Sequence, residues 1–144
     1  MTSNQFRVPT LDSSGKLPAA YLPSDIRSFD WLFSGELTVR TGQARAIIPN
    51  TGRSAALARI TVSIGTFSMS DSGLSVTIAI RVNGLLAGQA AITASAPTVD
   101  QDITPDQTLY AGDALTVDIL SVSTSGGSNL TPADLTVQAW WKWA

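Results

Sequence analysis

The sequence predicts an all-β protein: a single antiparallel β-sandwich of jelly-roll type, preceded by an extended, proline-containing N-terminal arm. Three observations carry this. Apolar residues recur at every second position in several windows, which is the period of a half-buried strand. No window longer than about ten residues holds a convincing 3.6-residue apolar period. Turn signals built from Gly, Asn, Asp and Ser recur at roughly ten-residue spacing, and roughly seven or eight short strands so punctuated suggest two packed sheets. An immunoglobulin-like strand order is the alternative to the jelly roll.

The arm comes first, over residues 1–30, with the sandwich at 31–144. Pro9, Pro18 and Pro23 each fix φ, remove a donor and push the preceding residue toward extended geometry, so neither a helix nor a central strand runs through this stretch. Val8, Leu11, Leu17, Tyr21 and Leu22 are more apolar than a solvated linker needs. They are the candidate docking residues, expected to enter apolar grooves on a partner. Asp12-Ser13-Ser14-Gly15 reads as a turn in the arm. Trp31 and Phe33 are expected to plug the junction of arm and globule.

Strands are then expected at about Trp31–Arg40 and Gln43–Pro49. In Arg59-Ile60-Thr61-Val62-Ser63-Ile64 and in Leu74–Val82 the apolar set falls on alternate residues, giving strands with one wet face. Asn83-Gly84 tolerates positive φ at both positions and is a strong hairpin signal, joining Leu74–Val82 to a strand at Leu85–Ala94. Ser95–Gln107 is expected to be a crossing loop. Ala114–Val122 and Leu135–Trp143 complete the set. In the last strand Val137, Ala139, Trp141 and Trp143 share one face while Gln138, Trp140 and Lys142 share the other. Trp141 is therefore expected in the core. Trp140 is expected to face outward, against the arm or a neighbouring subunit, or as a platform on which a sugar ring stacks. Trp31, Trp140 and Trp143 are the candidate interface or glycan-stacking residues.

Composition limits function. The 144 residues suit one domain, able to bury roughly two thirds of its unfolded surface. With no cysteine there are no disulfides and no thiolate chemistry, and the redox compartment stays open. Nine Lys+Arg against eleven Asp+Glu, scattered, supply no basic cluster to track phosphates, so nucleic acid is not an expected partner. No secretory signal, membrane anchor or spanning stretch is expected. Only 14% of residues are charged against 44% apolar, an imbalance that favours a homo-oligomer with apolar interfaces.

The run Leu11-Asp12-Ser13-Ser14-Gly15-Lys16-Leu17-Pro18-Ala19-Ala20-Tyr21-Leu22-Pro23 resembles a segment that recurs near the start of structural domains in tail, fibre and other virion proteins of tailed bacteriophages, notably those of actinobacterial hosts. Phe33-Ser34-Gly35-Glu36-Leu37, Gly42-Gln43-Ala44-Arg45, the stretch Ala111–Ile119 and Asp134-Leu135-Thr136-Val137-Gln138 resemble strands of the β-sandwich that often follows it. The resemblance implies a non-enzymatic virion protein, assembled in the host cytoplasm, with a trimer favoured. Its partners would be other virion proteins of the tail or capsid, and a host-surface glycan. A minor tail or fibre component is the first reading and a capsid decoration or head-fibre protein the second. The family pattern carries no catalytic residues. A carbohydrate-binding module is the rival from another class, resting on the tryptophans.

Catalytic chemistry finds little support. There is no histidine, so the Ser-His-Asp triad and imidazole ligation are absent. Asp100, Asp102, Asp106 and Asp113 form a loose carboxylate group of the kind a glycosidase needs, but Asp beside Gly, Pro or Thr is ordinary turn chemistry. Asp100-Gln101-Asp102 lacks the Gly and Glu spacing of a calcium loop. Neither a metal nor a cofactor is expected.

Overall fold

A computed structural model describes residues 27–50, 52–125 and 130–143. They form eight strands: β1 (Arg27–Glu36), β2 (Arg40–Ile47), β3 (Ala55–Thr66), β4 (Ser75–Val82), β5 (Leu85–Thr93), β6 (Thr98–Leu109), β7 (Ala114–Ser123) and β8 (Ala133–Trp143). Among the described residues no helix is long and apolar enough to cross a membrane. All pairings are antiparallel, in two four-stranded sheets with orders β1-β8-β3-β6 (sheet A) and β2-β7-β4-β5 (sheet B). Consecutive strands alternate between the sheets except at the β4–β5 hairpin. This is the double Greek key of an eight-stranded jelly roll, and it excludes the immunoglobulin-like order.

Alternation builds the core. Leu57, Ile60 and Val62 of β3, Val76, Ile78 and Ile80 of β4, Leu115, Val117 and Ile119 of β7, and Leu135, Val137 and Ala139 of β8 are all completely buried between the sheets. Each large aliphatic side chain so buried contributes about 1.5–3 kcal/mol. The β4–β5 turn has Asn83 at φ 51° and Gly84 at φ 83°, as the two-residue hairpin requires. The Asn83 amide also donates to Asp113 Oδ1 at 2.9 Å and accepts from Ala114 N–H at 3.0 Å, tying this turn to the β6–β7 connection.

Two expectations are corrected. The first strand begins at Arg27 rather than Trp31 and ends at Glu36, and Arg40 already belongs to β2. Ser95–Gln107 is not a crossing loop, because Thr98–Leu109 is the edge strand of sheet A, paired with β3. Its register jumps between the pairs Leu57↔Gln107 and Arg59↔Asp102, so residues 103–106 bulge from the ladder. The bulge turns Ile103 inward, 7% exposed. Gly88 of β5 allows this close approach: a Cβ there would lie 3.0 Å from Ile103 Cγ1 and 3.0 Å from Ile60 Cδ1.

Candidate functional site

The outer face of sheet A is built by the opposite parity to the core. Across it, Ser28 of β1 pairs with Trp140 of β8, and Trp140 with Arg59 of β3, which pairs with Asp102 of β6. The adjoining row runs Asp30, Gln138, Thr61, Asp100. A register shift between Leu57 and Arg59 in both β3 pairings inserts Ala58 as a bulge and brings Arg59 level with Trp140. The second bulge, at 103–106, carries Asp106 to Lys142 of β8. Between the two bulges lies a groove of about 650 Å³, lined among others by Arg59, Thr61, Asp100, Asp102, Gln138 and Trp140.

Its side chains are ordered by one another. Trp140 Nε1–H donates to Thr61 Oγ1 at 2.8 Å, and the Thr61 hydroxyl donates to Asp100 Oδ1. Arg59 Nε donates to Asp102 Oδ1 at 2.7 Å, and Lys142 Nζ lies 3.3 Å from Asp106 Oδ2. The hydrogen bond and charge of Asp102 hold the Arg59 guanidinium above its ordinary pKa. Both pairs are accessible, the four side chains being between 41% and 65% exposed. Carboxylates, cations and one half-buried indole thus meet on an otherwise wet sheet face, an arrangement suited to binding.

Of the three tryptophans singled out as contact residues, the structure brings only Trp140 to this groove. Trp31 lies on the inner face of sheet A, stacked on Phe29 with ring centroids 6.2 Å apart, and Phe29 stacks on Trp141 at 5.6 Å. Trp143 meets Trp141 edge to face at 4.9 Å, and Arg53 sits over its ring at 5.1 Å. Trp141 itself is 7% exposed, and its Nε1–H has no acceptor among the described residues. Val8, Leu11, Leu17, Tyr21 and Leu22 lie outside the described residues. Asp100, Asp102 and Asp106 do converge, but Asp113 stands apart, accepting Tyr110 N–H at 2.8 Å. Among the described residues no group of three or more metal-ligating acids or imidazoles forms. Arg59, Thr61, Gln138 and Lys142 complete the groove, and nothing in the sequence alone marks them as site residues. What they share is outward parity, in two strands whose pairing spans most of the chain.

The fold and this face define an eight-stranded jelly-roll β-sandwich with a polar, indole-bearing groove on one sheet. No protein-family model and no curated protein matches the chain. Among solved structures it is distantly similar to latent PorU from Porphyromonas gingivalis, with TM-score 0.35 and 13% identity over 85% of this chain and 13% of that one. It is also distantly similar to a chain of turnip yellow mosaic virus, with TM-score 0.28 and 16% identity over 95% of this chain and 89% of that one.

Proposed function

We propose that this chain is a non-enzymatic structural component of a bacteriophage virion, of the minor tail or fibre type, which docks through its N-terminal arm and displays the jelly roll on the particle. The observation that carries the reading is the Leu11–Pro23 segment standing just ahead of a sandwich whose first strand starts at Arg27. Prolines that favour extended backbone reduce the ordering entropy lost on docking, and Leu11, Leu17, Tyr21 and Leu22 supply the apolar contacts. A trimer would present its arms as a linked set, so attachment gains from avidity.

Deleting residues 1–26 leaves all eight strands in place. The shortened protein is expected to fold and melt like the full chain but to fail to join particles, measured by its recovery with purified virions. Normal incorporation overturns the docking role. Leu17→Asp with Leu22→Asp in the full chain is expected to give the same loss, because charges entering apolar grooves are costly.

A further inference from the structure

We infer that the outer face of sheet A is a saccharide-binding groove, with Trp140 as the stacking platform and a neutral pyranose chain as the ligand. The inference extends the particle-display reading and does not rest on it.

The first ground is the placement of the indole. A large apolar ring on the outward face of a strand gains nothing from the core, and the register neighbours of Trp140 are Ser28 and Arg59, with Gln138 and Lys142 next along its own strand. Of the apolar residues that line the groove with it, Ile103 and Trp141 are each 7% exposed and belong to the core, and Ala58 is small. The ring is nevertheless fixed: its N–H is held by Thr61, and Thr61 is held in turn by Asp100. An aromatic surface oriented beforehand loses little entropy on contact. The flat C–H face of a pyranose is an apolar surface that matches such a ring, with hydroxyls projecting at its edge.

The second ground is the polar rim. Asp100, Asp102 and Asp106 supply acceptors, and Arg59 and Lys142 supply donors already steered by Asp102 and Asp106. The Gln138 side-chain amide lines the groove and makes no hydrogen bond among the described residues, leaving a donor and an acceptor for a ligand. Sugar hydroxyls donate and accept together, which this mixture satisfies. Three carboxylates against two cations leave the groove slightly negative, so a neutral saccharide is favoured over a sulfated or phosphorylated one. The volume of about 650 Å³ falls within the roughly 300–1,000 Å³ of small-ligand sites.

The test is calorimetry on the full chain with neutral hexasaccharides of glucose, mannose and galactose and with the sulfated form of each. At least one neutral oligosaccharide is expected to bind, more tightly than its sulfated form. Trp140→Ala is expected to weaken it about tenfold or more, the scale of one aromatic contact, and Gln138→Ala to weaken it several-fold. Met69→Ser, in the β3–β4 connection away from the groove, should leave affinity unchanged. Absence of binding by every neutral probe at about 10 mM, preference for the sulfated forms, or unchanged affinity in Trp140→Ala overturns the assignment. Should Trp140→Ala fail to fold, Gln138→Ala decides: unchanged affinity there overturns it equally. Because the readout is ligand binding by purified protein, its failure is separate from failure of particle docking.

Discussion

Asp118 lies on the outward side of β7 yet is only 3% exposed, because Arg81 of β4 and the backbone at Gly42 close over it. Burial by itself pushes its pKa up, but the Gly42 N–H at 2.7 Å and the Arg81 guanidinium together outweigh that, so the carboxyl titrates below its ordinary range. Asp71 is shifted the same way, chiefly by the Ser125 N–H at 2.9 Å. A folded-state pKa below the unfolded one adds stability that is complete above the unfolded value and lost as pH falls through the folded value. Urea unfolding is therefore expected to give constant stability from neutral pH to about 5 and a decline below about 4. Asp118→Asn should flatten part of that decline. At neutral pH it should cost on the order of 2–3 kcal/mol, since Arg81 loses its carboxylate partner. A decline of equal depth in the variant would remove Asp118 from the account. In sequence, Asp118 reads as a polar-face residue of an alternating strand, because the arginine that covers it is contributed by another strand.

At the scale of elements, legibility followed locality. The β4–β5 hairpin was readable because its two strands and its Asn83-Gly84 turn are contiguous, and each inward position is apolar. β6 was not readable, for two physical reasons. As an edge strand it pairs only with β3, so most of its positions face water and carry Asp, Gln or Thr, and the bulge at 103–106 breaks the period of two. Its polar composition suits an edge, where charges and Pro105 discourage pairing with another sheet. The same pairing hid the groove: Asp100, Asp102 and Asp106 were visible as a group, but their partners Arg59, Thr61 and Lys142 came from β3 and β8. Ile103 is the inward anchor of the bulge, and Ile103→Ala should cost about 2–4 kcal/mol through the cavity it leaves. A fall in the urea midpoint with unchanged slope is the expected result. An unchanged midpoint would show that the bulge is not held from inside.

At the scale of the molecule, most exposed apolar side chains lie at two poles, while Leu32 stands mid-sheet on the outer face of sheet A, opposite Thr136. Ala55 pairs with both Leu109 and Trp143, Ile47 with Ala114, and Val82 with Leu85, so Ile47, Leu85, Leu86 and Tyr110 lie at one end of the sandwich, at 47%, 76%, 54% and 62% exposure. Arg27 starts β1 opposite Trp141 at this same end, so the chain enters the fold there. Val39 and Met69 are exposed at the other. Scattered exposed apolar residues are ordinary in a monomer, but four at one end of the sandwich, the end where β1 begins, suit a contact between subunits. If the proposed trimer forms through this pole, light scattering of the full chain gives the mass of three chains independent of concentration. Leu85→Ser with Tyr110→Ser should then yield a folded monomer that melts below the trimer, because association stabilises the folded state, with a melting temperature independent of concentration. A monomeric wild type at every concentration would remove the trimer, and a trimeric double variant would move its interface elsewhere. A trimer closed at this pole would gather its arms on the side facing the particle. The groove on sheet A opens on the outer face of each subunit, with Lys142 and Asp106 on the side nearer that pole.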